Sequence, residues 1–135
     1  VSRAAYAESN VKVELLSFIE DMAAAYAWTD LVVCRAGALT VAELCAAGVP
    51  ALFVPYPSAV DDHQTANAGP MVRAGAAVII AEADLTPELL ANLLRDWLQS
   101  RAILLQHAEK ARALAKPDAL RRITEICLAQ AGVTT

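Results

Sequence analysis

Residues 35–43, Arg35-Ala36-Gly37-Ala38-Leu39-Thr40-Val41-Ala42-Glu43, combine small residues with a helix-opening pattern directly after the apolar run of residues 31–34. A strand that feeds a helix start presents unpaired backbone N–H groups and the positive end of the helix dipole. That combination holds anions, and diphosphate is its natural guest. Gly37 permits a ligand to approach the backbone, Ala36 and Ala38 leave the approach open, and Thr40 offers a cap or a hydroxyl. Any strand-to-helix turn also favours such residues, and neither G-x-G-x-x-G nor a Walker sequence is present. Glu43 has two readings. It completes a T-x-x-E capping box with Thr40, or it accepts hydrogen bonds from both hydroxyls of a ribose, as acids do in dinucleotide folds.

A second cluster, Asp61-Asp62-His63-Gln64-Thr65-Ala66-Asn67-Ala68, follows the apolar run of residues 51–55. Gln64 and Asn67 lie three apart and share a helical face, where their amides suit sugar hydroxyls; a solvated polar helix start is the alternative. His63 titrates near neutrality but has no nucleophile beside it, so a substrate contact is favoured over a general base. The two aspartates suit a helix N-terminus better than a metal. In the third cluster, Ser17-Phe18-Ile19-Glu20-Asp21-Met22, Phe18 and Met22 are able to cover a flat base while the Ile19 backbone pairs with its polar edge. Ordinary core packing is the competing reading for both side chains. His107 reads as a surface residue. Arg95, Arg101, Lys110, Arg112, Lys116, Arg121 and Arg122, interspersed with acids, read as a solvated face.

These clusters need a scaffold, and the pattern supplies one. Apolar segments at residues 11–16, 31–34, 51–55 and 77–81 alternate with helical patterns, which predicts an α/β, Rossmann-like parallel sheet covered on both faces. Helices are expected over residues 21–28, 40–47, 64–74, 87–98, 101–114 and 118–131, so the last third is all helical. Gly48 and Pro50 terminate the second of these, Thr86 and Pro87 start the fourth, and Gly69-Pro70 should kink or split the third. Loops at strand C-termini gather on one edge of such a sheet, which would bring the three clusters together.

The 135 residues fit a single domain, residues 1–135, with no internal repeat or linker. A net charge of −4 argues against a nucleic-acid binder. The three cysteines lack disulfide or zinc spacing and fit a reducing cytoplasm, and prolines interrupt the apolar stretches well short of a membrane span.

Taken together, the segments resemble the C-terminal domain of the MurG family of bacterial glycosyltransferases. The resemblance runs through residues 17–22, residues 30–40, residues 50–55 and residues 62–68. It implies the donor half of a two-Rossmann-domain (GT-B) enzyme that moves N-acetylglucosamine from UDP-N-acetylglucosamine to undecaprenyl-pyrophosphoryl-muramoyl-pentapeptide in peptidoglycan synthesis, without metal or cofactor. By the same resemblance, the Ile19 backbone would recognise uracil within a pocket of Phe18 and Met22, and Glu43 would bind the ribose diol. Gly37, Ala38, Leu39 and Thr40 would take the diphosphate, with His63, Gln64 and Asn67 on the sugar and phosphate side. Some members carry serine where this chain has Ala36. The family's acceptor domain, catalytic base and first glycine-rich loop have no counterpart here, so no catalytic residue is expected in this chain. The expectation is a truncated donor domain, peripheral on the inner face of the cell membrane in its complete form. Exposed sheet edges would then be unstable alone or completed by a partner chain or a second copy. A noncatalytic nucleotide-sugar-binding subunit of a two-chain transferase is the main alternative, and an NAD-binding domain a remote one.

Overall fold

The computed structural model describes residue 6, residues 11–57 and residues 63–132. Among these, helix α1 (Met22–Trp28) leads to strand β1 (Val32–Cys34), helix α2 (Ala38–Ala47), strand β2 (Ala51–Phe53), helix α3 (His63–Ala74) and strand β3 (Ala77–Ile79). A short 3-10 turn (Glu82–Asp84) precedes helices α4 (Pro87–Leu98), α5 (Arg101–Ala113) and α6 (Ala119–Gln130). The sheet is parallel, in the order β1-β2-β3, with Val32 opposite Ala51 and Ala51 opposite Ala77. This is the expected α/β architecture with an all-helical last third. Helices α2 and α3 pack against each other in one core with β2, on the same face of the sheet.

Burial follows from that packing. Ala51 and Phe53 of β2 point into the layer formed by Val41, Leu44 and Cys45 of α2, Ala68 and Met71 of α3, and Ala111 of α5. Leu52 is also fully buried but, by strand alternation, lies on the opposite face. The continuous apolar run therefore belongs to a strand covered on both sides, as in other parallel sheets. Gly48 ends α2 at φ 72°, a left-handed conformation that a side chain opposes, and its N–H closes onto the Leu44 and Cys45 carbonyls.

Two expectations of secondary structure need correction. Residues 11–16 form no strand: Val11, Val13, Leu15 and Leu16 are exposed, and no described residue pairs with them. A strand needs a ladder partner to satisfy its backbone, and apolar character alone supplies none. The helix over residues 64–74 does not split at Pro70; α3 runs unbroken from His63 to Ala74. Fully buried Ala68 and Met71 anchor both sides of the proline, and that packing offsets a local penalty of about 3 kcal/mol.

The late helices include a contact that their polar sequence hides. His107, expected on the surface, is half-buried and stacks on the buried Trp97 ring at 4.1 Å between centroids, 7° from parallel. Its Nδ1 lies 2.6 Å from the Gly75 carbonyl, which can only accept, so Nδ1 carries the proton. This joins α4, α5 and the turn before β3. The seven late cationic side chains are exposed, as expected of a solvated face. Leu120, Ile123 and Ile126 of α6 are exposed too.

Candidate functional site

The turn after β1 begins the site. The α2 N-cap is Gly37, three residues earlier than the expected cap at Thr40, and no side chain caps the helix. Its first internal bond runs from the Val41 N–H to the Gly37 carbonyl at 2.9 Å. The N–H groups of Ala38, Leu39 and Thr40 precede that bond and have no acceptor within the helix. Gly37 holds φ −65°, which any residue can adopt, and a Cβ there would meet nothing nearer than Thr40 Oγ1 at 3.7 Å. The protein's own packing therefore does not require glycine at this position.

The early helix start also removes the capping box. Thr40 and Glu43 both sit inside α2, so the glutamate cannot reach back to cap an N-terminus that lies ahead of Thr40. The Glu43 carboxylate instead accepts a hydrogen bond from the Tyr26 hydroxyl at 3.1 Å. Asp21 caps α1 by accepting from the Ala24 N–H at 2.8 Å, and the helix then carries Met22 and Tyr26 on one face, four residues apart. Met22, Ala23, Tyr26 and Ala27 form one wall of an open groove; Glu43, Ala46 and Ala47 form the other. Burial, followed by the Glu43 hydrogen bond and charge and the nearby Cys34, pushes the Tyr26 hydroxyl up to about 12.

A second tie gathers the loops after β1, β2 and β3. The Arg35 guanidinium donates to the carbonyls of Val54 at 3.1 Å and Pro55 at 2.9 Å, and forms an ion pair with Glu82 at 2.5 Å. It also lies 5.3 Å above the Tyr56 ring. Gln64 Oε1 accepts from the Tyr56 N–H at 3.0 Å, while Asn67 Nδ2 donates to the Ala36 carbonyl at 3.1 Å. Both amides thus hold neighbouring loop backbone. Gln64 keeps its NH2 group, and Asn67 its carbonyl oxygen, for other partners. Ala36 is fully buried under this network. A further open groove, lined by Pro55, Tyr56, Thr65, Ile79 and Glu82, runs along the same edge.

The expected site residues fall into groups. Met22 shares the groove with Glu43, and Gln64 and Asn67 lie against the loops flanking the Gly37 turn. Phe18 and Ile19 stand on the irregular segment before α1; Phe18 is 77% exposed and lies outside the core of the described residues. Leu39 is likewise exposed, and His63 opens α3. Asp61 and Asp62 lie outside the described residues. Among the described residues, no group of histidine, cysteine and acidic side chains is arranged to hold a metal. Cys34 is pushed by burial to about 11, and buried Cys45 is raised for the same reason, so neither is a ready nucleophile.

Sequence reasoning passed over Tyr26, Arg35, Tyr56 and Glu82. Signals existed for two of them. Tyr26 follows Met22 by one helical turn, and Glu82 follows the third strand, where its loop must join the same edge.

Comparison with known proteins gives the chain a family. The model of the glycosyltransferase family 28 C-terminal domain matches residues 1–123. The chain is 54% identical to the UDP-N-acetylglucosamine--N-acetylmuramyl-(pentapeptide) pyrophosphoryl-undecaprenol N-acetylglucosamine transferase of Marinobacter nauticus, over 97% of this chain and 36% of that protein. It is 55% identical to the same-named protein of Dechloromonas aromatica, over 93% of this chain and 35% of that one. The crystal structure of Acinetobacter baumannii MurG superposes with a TM-score of 0.86 at 48% identity, covering 93% of this chain and 36% of that one. The chain spans about a third of the length of the curated relatives it matches. By sequence and by fold, it belongs to the family of glycosyltransferase family 28 C-terminal domains.

Proposed function

We propose that this chain is the donor-binding domain, residues 1–135, of an enzyme that transfers N-acetylglucosamine from UDP-N-acetylglucosamine to undecaprenyl-pyrophosphoryl-muramoyl-pentapeptide. The observation that carries the reading is the uncapped α2 N-terminus, with three backbone N–H groups ahead of its first internal bond, one turn from a carboxylate that borders a groove. Relatives named for this transfer are 54% and 55% identical across nearly the whole chain.

In this reading the turn of Gly37, Ala38, Leu39 and Thr40 binds the diphosphate, with the α2 dipole behind it. Glu43 takes the ribose diol. The Ile19 backbone meets the uracil edge, with Phe18 and Met22 beside the ring, and His63, Gln64 and Asn67 face the sugar and phosphates. The acceptor hydroxyl oxygen attacks the anomeric carbon, the bond to the diphosphate oxygen breaks, and a base from outside these residues takes the hydroxyl proton. Charge grows on the departing UDP, and backbone donors aimed at it favour the transition state over the ground state. No catalytic group is assigned within this chain. The working location is the inner face of the cell membrane, where a lipid-linked acceptor is reached; no described helix is long and apolar enough to cross a membrane.

Calorimetric titration of the full-length protein with UDP-N-acetylglucosamine tests the assignment. Glu43→Ala should weaken binding by about tenfold or more, as expected for losing hydrogen bonds to a charged acceptor. Unchanged affinity would remove Glu43 from the ribose site.

A further inference from the structure

We propose that Tyr26 is a positioning residue for the donor: its hydroxyl holds the Glu43 carboxylate in the orientation that meets the ribose diol. The inference rests on the donor-site reading of Glu43. It adds a residue that touches the carboxylate and not the nucleotide.

The geometry gives this pair a direction. Tyr26 packs against the buried core through its ring and puts its hydroxyl 3.1 Å from Glu43 Oε2. A phenol has one proton to donate, and here it goes to the glutamate. Its raised titration keeps that donor intact across the working pH range. Glu43 is an exposed side chain on α2 with several rotatable bonds, and a glutamate in that setting samples many positions unless something holds it. Tyrosine holds it at one oxygen. A carboxylate offers about four acceptor sites, so the other oxygen stays available to a diol. The two residues also face each other across the groove that Met22 enters from the α1 side. Immobilising the glutamate before the ligand arrives removes an ordering cost from binding, and chemistry at the anomeric carbon is untouched.

A plain helix-to-helix tie would look similar in the structure but behaves differently on substitution. It would affect every ligand equally and act independently of the ribose. The test therefore compares UDP-N-acetylglucosamine with its 2′-deoxyribose analogue on the full-length enzyme, using native protein, Tyr26→Phe, Glu43→Ala and the double variant. Phenylalanine retains the ring and its packing and removes only the hydroxyl. Tyr26→Phe should raise KM and Kd for the normal donor by roughly three- to tenfold, with kcat within about twofold of native. The loss should shrink below about twofold for the 2′-deoxy donor and vanish in the Glu43→Ala background. If Glu43→Ala weakens the normal donor but Tyr26→Phe costs both donors equally, or adds fully to Glu43→Ala, the positioning role is overturned while the ribose reading stands. If Glu43→Ala leaves affinity unchanged, the ribose reading fails and this inference with it.

Discussion

The two ends of the sheet use glycine in opposite ways. Beyond the N-terminal ends of β2 and β3, Gly48 and Gly75 both hold φ 72°, and added Cβ atoms would come within 3.3 Å of Arg112 Cβ and Lys110 Nζ. At the C-terminal end of β1, Gly37 holds an ordinary φ, and an added Cβ would meet only an ordinary contact with Thr40 Oγ1 at 3.7 Å. The first pair is required by the fold. The third is not, so its backbone N–H groups stay open to approach, which is what the proposed diphosphate site needs. Polar side chains divide in the same way. His107 supports the structural end through Trp97 and Gly75, while Arg35, Gln64 and Asn67 hold loops around the open turn.

The division can be broken first at its structural end. Trp97→Ala removes a buried ring and the stacking partner of His107, and should cost about 3 kcal/mol in chemical denaturation. Donor affinity of the remaining folded protein should stay within about twofold. A large loss of affinity there would show that the two ends are not separate. Gly48→Ala should cost about 1–2 kcal/mol, from the left-handed backbone and the crowding at Arg112, again with donor binding preserved.

A smaller effect sharpens the boundary on the ligand side. The Tyr26 hydroxyl titrates at about 12 in the folded protein against 10 in its absence, so the folded state holds the proton more tightly. Its contribution is fully present below pH 10 and is lost as pH rises toward 12. Since the pair is largely solvent-exposed, the slope should be shallow. Stability measured between pH 9 and pH 12 should fall less steeply in Tyr26→Phe than in native protein; identical curves would mean that burial and the Glu43 hydrogen bond together do not hold the phenol proton.

Much of this was legible in the sequence because strands covered on both faces write themselves as apolar runs. The runs at residues 31–34, 51–55 and 77–81 hold β1, β2 and β3, and Thr86-Pro87 marked the start of α4. The run at residues 11–16 misled because pairing is a property of neighbours, and an apolar pattern does not show who they are. Pro70 misled because helix propensity is local, whereas Ala68 and Met71 are secured by the core. The capping box misled by three residues: Thr40 and Glu43 fit the pattern, but the helix had already started at Ala38. Tyr26 and Arg35 stayed hidden for another reason. Each acts on groups at least 17 residues away, through contacts that exist only once helices and strands are packed together.

Gly37→Ala tests the account most directly, because it adds a methyl group where the fold has room and a diphosphate would not. Titration of the full-length protein with UDP-N-acetylglucosamine should show affinity lower by about tenfold or more, with stability lowered by no more than about 1 kcal/mol, the cost of alanine at an N-cap. Native affinity in the alanine variant would contradict the claim that the turn after β1 is the diphosphate cradle.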